Sequence, residues 1–109
     1  MIWKDITSMN LLQDMYACDT TYILFKHSTR CPVSAMAKRN LEQDKNLIPE
    51  GTVIYYLDLI AYREISNAIE QLWEVKHESP QLLVVRGQKC IYNASHSEIE
   101  MRDIVPFIS

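Results

Sequence analysis

The chain has 109 residues and a formal net charge of −3, with 48% hydrophobic and 23% charged residues. That suffices for one domain, taken as residues 1–109, whose core needs no disulfide staples. The acidic balance gives no broad basic footprint for nucleic acid, no apolar run is long enough for a membrane span, and two glycines are too few for a glycine-rich phosphate loop.

In chain order, Ser8 to Ala17 reads as a short helix, with Leu11, Leu12 and Met15 at helical spacing. Thr21 to His27, TYILFKH, is rich in β-branched and aromatic residues and reads as a strand buried on both faces. A helix is expected from Pro32, because proline at a first helical position has no N–H to lose. Ala35, Met36, Ala37 and Leu41 supply its packing side, and it should end near Lys45 to Leu47, before Pro49 and Gly51. Thr52 to Ile60 is a second strand. Ile65, Ala68, Ile69, Leu72 and Trp73 then form one apolar helical stripe. Gln81–Val85 and Lys89–Asn93 read as a hairpin turning at Arg86-Gly87-Gln88. Ser97-Glu98-Ile99-Glu100 fits a capping box that opens the last helix, which Pro106 kinks or ends. The order α-βαβα-ββα predicts an α/β fold: a mixed four-stranded sheet flanked by helices, with an extra N-terminal helix.

The chemistry is expected where the first strong strand meets its helix. Cys31 immediately precedes Pro32 at the predicted helix start. Helix N-termini and nearby cations favour thiolate over thiol, lowering a cysteine pKa from about 8.5 to roughly 3.5–7.5. Lys26, His27 and Arg30 can supply positive potential. Ser34 stands where a Cys-x-x-Cys pair would have its second thiol. Serine cannot resolve a mixed disulfide, but its O–H could donate to the Cys31 thiolate. The expected chemistry is monothiol exchange. Cys18 and Cys90 are either packing residues or resolving thiols. The three cysteines, odd in number and irregular in spacing, make neither a disulfide framework nor a zinc pattern. No charged segment followed by an apolar one opens the chain, so a cytoplasmic protein without bound metal is expected.

A second element is His77 to Gln81, HESPQ. Ser79-Pro80 is either an ordinary trans strand start or a cis turn; a cis turn facing Cys31 would let the Ser79 backbone pair with an extended substrate.

Three blocks, FKHSTRCPVSAMA, VKHESPQLLVVRGQK and NASHSEI, resemble the YtxJ-type monothiol bacilliredoxins, a branch of the thioredoxin-like superfamily. The resemblance implies a thioredoxin-like fold, Cys31 as nucleophile and Pro80 as a cis-proline facing it. It implies removal of bacillithiol from S-bacillithiolated cytosolic proteins. The co-substrate is then bacillithiol or another low-molecular-weight thiol, with no bound cofactor. The partners are S-thiolated clients and a recycling redoxin or reductase, with no nucleic acid and no membrane. Arg30 and Val33 depart from the family's usual threonine and isoleucine. Arg30 adds a cation beside the sulfur. Bacillithiol carries malate carboxylates, so Ser95, His96 and Ser97 at the expected start of the last helix, with Arg30 opposite, are candidates to bind them. Alternatives are a glutaredoxin-like reductase of glutathione mixed disulfides, an iron–sulfur carrier, a non-catalytic module and a redox sensor without turnover. The carrier reading usually goes with C-G-F-S, which Pro32 breaks.

Overall fold

The structure, a computed structural model, describes residues 1–108. In chain order it contains β1 (Ile2–Asp5), α1 (Met9–Ala17), β2 (Thr21–His27), α2 (Pro32–Gln43), β3 (Val53–Asp58), α3 (Arg63–Trp73), β4 (Gln81–Arg86), β5 (Lys89–Ser95) and α4 (Met101–Ile108). Short 3₁₀ turns occupy Lys45–Leu47 and His96–Glu98. The strands form one sheet in the order β1-β3-β2-β4-β5. β1 and β2 run parallel to β3, whereas β4 is antiparallel to β2 and β5 to β4. No helix of the described residues is long and apolar enough to cross a membrane.

The sheet therefore has five strands rather than the expected four. The added strand, β1, is a short edge strand in which Ile2, Lys4 and Asp5 are exposed. An edge strand with so little to bury carries no apolar alternation for a sequence reading to find. The helix expected before the first strong strand is α1. Its N-cap is Ser8, whose Oγ accepts the Leu11 N–H at 3.3 Å.

Alternation along the strands sorts the core into two layers. Leu24, Leu57, Leu83 and Val85 meet α1 and α3 through Leu12, Met15, Ile65, Ile69 and Trp73. Ile23, Phe25, Ile54, Leu82 and Val84 meet α2 and α4 through Ala37, Leu41, Met101 and Ile104. Both faces are covered, which is why TYILFKH and QLLVV read as nearly continuous apolar runs.

The last helix starts later than the capping box implied. His96–Glu98 is a single 3₁₀ turn, Ile99 is buried in the core, and α4 begins at Met101. Burying Ile99 outweighs the local preference for a helix at Ser97. Pro106 lies inside α4 and does not end it before Ile108.

Candidate active site

The parallel strands and α2 bring the chemistry to one end of the sheet. β2 ends at His27, whose carbonyl accepts the Leu59 N–H at 3.0 Å. A tight turn follows, with the Cys31 N–H donating to the Ser28 carbonyl at 3.2 Å. Cys31 is then the N-cap of α2, in extended conformation and half-buried, with Pro32 opening the helix. Its carbonyl accepts the Ala35 N–H at 3.1 Å. The α2 N-terminus lacks a side-chain cap. Its free N–H groups and the positive end of its dipole are therefore directed to where the sulfur stands.

Ser34 is fully buried, not on the helix surface. Its Oγ accepts the Ser28 N–H at 3.0 Å and lies 2.7 Å from His27 Nδ1. With Nδ1 as acceptor, the only hydroxyl hydrogen goes to His27. Burial holds the His27 imidazole below its usual pKa, Lys38 adds to this, and Asp58 and the Ser34 backbone oppose it. The lowering favours the neutral ring, which accepts at Nδ1 when its proton is on Nε2. Ser34 thus clamps the end of β2 to the turn that carries the thiol, and among the described residues no hydrogen bond joins it to Cys31 as expected. His27 touches Ser34 and the rings of Phe25 and Tyr56, at centroid distances of 5.8 and 5.3 Å.

Lys26 does not line the site surface. Strand alternation turns it to the α1/α3 side, where it is 0% exposed, and its Nζ donates to Gln81 Oε1 at 3.2 Å. A fully buried amine cannot contact a docked substrate, so its expected place among the substrate-binding residues is not supported by this geometry. Arg30 is exposed in the turn beside Cys31.

The Ser79-Pro80 bond is cis. Lys26 is the register partner of Gln81, which places Pro80 at the same end of the sheet as Cys31. Pro80 has the strand parity of Leu82, which packs on the α2 side. The Pro80 carbonyl accepts the His96 N–H at 3.0 Å. That bond accompanies a left-handed backbone at His96, with φ of 56°, a conformation that non-glycine residues seldom adopt and that gathers at binding sites.

Between the start of α2 and the His96–Glu98 turn runs a groove of about 260 Å³. Pro32, Val33, Met36, His96, Ser97 and Ile99 line it. His96 and Ser97 therefore come together with the thiol-bearing helix, whereas Ser95 ends β5 and caps nothing with its side chain. No helix of useful length starts at these residues, so any attraction for an anion rests on their side chains. Glu78 reaches into the same region, its Oε2 lying 3.5 Å from His96 Nε2.

Cys18 and Cys90 lie at the opposite end. Cys18 follows α1, before β2 begins. Cys90 pairs with Val85, which pairs with Tyr22 near the start of β2. β2 alone separates them from the Cys31 end by roughly 20 Å, and a disulfide spans at most about 7 Å between Cα atoms. Neither can resolve Cys31 within one folded molecule. Burial raises the Cys90 pKa, as expected for a packing thiol. Sequence reasoning did not single out Ser28, Glu70 or Glu78, nor a role for Gln81. For Gln81 a signal existed: it is the one polar residue opening an apolar strand, directly after a proline.

Residues 4–104 match the family described as Monothiol bacilliredoxin BrxC. Among solved structures, the chain is similar to a proposed oxidoreductase with a thioredoxin fold, with a TM-score of 0.80 and 23% identity over 96% of this chain and 92% of that one. It is also similar to the thioredoxin Mala s 13 of Malassezia sympodialis, with a TM-score of 0.71 and 14% identity over 98% and 90% of the two chains. For chloroplastic thioredoxin z the TM-score is 0.67 and the identity 18%, over 98% and 94%. These likenesses establish a thioredoxin-like fold. The family match takes in all three sequence blocks and nearly the whole chain. The chain therefore belongs to the monothiol bacilliredoxin BrxC family, a thiol-redox family on a thioredoxin-like fold.

Proposed function

We propose that the protein is a monothiol thiol–disulfide oxidoreductase that removes bacillithiol from S-bacillithiolated cytosolic proteins. One observation carries the reading. Cys31 caps α2 at the end of the sheet that holds cis-Pro80, and the other two cysteines lie at the far end. Such a site takes up one half of a mixed disulfide and keeps it until an external thiol arrives.

In the first step the Cys31 thiolate attacks the small-thiol sulfur of the mixed disulfide. A new S–S bond forms on Cys31, the old one breaks, and the client sulfur leaves with the electron pair and takes a proton from water. Attack on that sulfur makes the client thiol the leaving group. In the second step an external thiolate, from bacillithiol or a recycling redoxin, attacks the Cys31 adduct. The small thiol departs in a disulfide with the attacking sulfur, and the Cys31 thiolate returns. Negative charge on Sγ in either step faces the free N–H groups of α2. The backbone at Ser79 and Pro80 serves as the ledge for the disulfide. The carboxylates of the small thiol fall to Arg30, His96 and Ser97, with Pro32 forming part of the groove wall. The iron–sulfur reading gains no support from Pro32 at the position where that motif carries glycine.

The test is turnover on a bacillithiolated model protein with mass spectrometry of the enzyme, with glutathionylated protein as the comparison. Multiple turnovers, a bacillithiol adduct on Cys31 and complete loss in Cys31→Ala are expected. A single equivalent of reaction would point to a redox sensor, and a preference for glutathione to a glutaredoxin-like reductase.

A further inference from the structure

The loop from Lys76 to Gln81, which carries cis-Pro80, is held mostly from outside itself. Among the described residues, the two buried side-chain polar atoms without a hydrogen-bond partner are His77 Nδ1 and Ser79 Oγ, both in this loop. The side chains of His77 and Ser79 thus contribute little to fixing it. Three hydrogen bonds do the fixing, beside the Glu78–His96 contact. The Glu70 carboxylate accepts the His77 N–H at 2.6 Å, Gln81 Nε2 donates to the Lys76 carbonyl at 2.9 Å, and the Pro80 carbonyl accepts from His96 at 3.0 Å.

The second tie closes the loop on itself, since it joins the first residue to the last. It needs the Gln81 amide to stay in one orientation. Gln81 is 1% exposed, so its Oε1 must find a partner inside the protein. That partner is Lys26 Nζ, at 3.2 Å. Remove the amine and the buried oxygen is bare. The amide then keeps only one of the two bonds that fix its orientation, and the Lys76 tie is weakened.

We infer that Lys26 is a positioning residue for the reaction: through Gln81 it holds the loop that carries cis-Pro80 in register with the strand that leads to Cys31. Packing alone does not call for an amine there, because methionine has a similar unbranched shape and no desolvation cost. The cost of the amine is visible. Burial lowers the Lys26 pKa to about 8, with Glu70 and Glu78 pulling it the other way. His77, in the same loop, is lowered by its own burial and then by the Lys26 charge.

The inference rests on the proposed reaction only in treating the cis-Pro80 loop as the ledge for the disulfide. Its test therefore has one readout that needs no substrate. Lys26→Met should speed amide hydrogen exchange across residues 76–79. It should also raise KM for the bacillithiolated protein about tenfold, the equivalent of one buried hydrogen bond, with a smaller change in kcat. Alkylation of Cys31 by iodoacetamide should change little, since the clamp at Ser34 is untouched. Lys26→Gln, which can still donate to Gln81, should restore both exchange and KM. Gln81→Met should repeat the Lys26→Met behaviour from the other side of the bond. Wild-type exchange in a folded Lys26→Met or Gln81→Met protein overturns the inference, as does a folded Lys26→Gln that rescues neither readout. Should the wild type fail to turn over, the proposed reaction falls while the exchange data still decide the role of Lys26.

Discussion

His27 and Lys26 are neighbours in the chain that serve opposite sides of the sheet. His27 points towards α2, bonds Ser34 and steadies the turn that bears Cys31. Lys26 points towards α1 and α3, bonds Gln81 and steadies the loop that bears cis-Pro80. Both are basic, both are buried, and burial lowers the pKa of both. The difference lies in the partner. His27 contacts a residue of the helix that Cys31 caps, whereas Lys26 reaches its loop through the next strand. One step along a strand thus divides two supporting tasks between two layers of the core.

The comparison breaks most sharply at Ser34. Ser34→Ala leaves the Ser28 N–H and His27 Nδ1 without their partner, at about 1–3 kcal/mol for each group that stays buried and bare. Denaturant unfolding should show the loss, and Cys31 alkylation should change more than in Lys26→Met.

The two bases also separate by pH. A folded-state pKa below the unfolded one means that the unfolded chain holds more protons, so stability rises with pH between the two values. For His27 that stability is present above about 6.5, its unfolded value, and is lost as pH falls through the lowered folded value. For Lys26 the gain comes between about 8 and 10.5. The stability difference between wild type and His27→Asn should therefore vary on the acid side, and that between wild type and Lys26→Met on the alkaline side. Stability–pH curves that differ in the reverse windows would exchange the two assignments.

The smallest effect is expected from Lys38. Its Nζ lies 4.9 Å from the Trp3 ring centroid and 3.2 Å from Glu42 Oε2, in a partly exposed place. Lys38→Met should cost under about 1 kcal/mol by thermal unfolding. It should leave the loop at residues 76–81 unchanged.

The legible parts of the sequence were those where local chemistry and packing agree. TYILFKH announced a buried strand, Pro32 a helix start, and the Ile65-to-Trp73 stripe an amphipathic helix; each stands where it was expected. The Cys31 position followed from two adjacent residues. What stayed hidden depended on contacts made across the fold. The chain alone does not say that Lys26 faces Gln81, because strand register is set by the whole sheet. Ser34 reads as a donor to the thiol because its spacing from Cys31 is visible in the chain and the rotation of α2 is not. At Ser97 a good capping motif yielded to the burial of Ile99. β1 has too few apolar residues to declare itself. Base rates favour a trans Ser79-Pro80 bond, and the cis form followed only from the resemblance.

The spacing of the three thiols has a consequence for whatever meets this protein after it has reacted. Cys31 cannot close a bridge with Cys18 or Cys90 in the folded chain. Oxidation at Cys31 by disulfide exchange therefore adds an appendage and leaves the chain without a new internal loop. A recycling partner has no altered fold to recognise. In the proposed reaction it reads the appendage itself, and so it shares with the client a need for the same small groove beside α2.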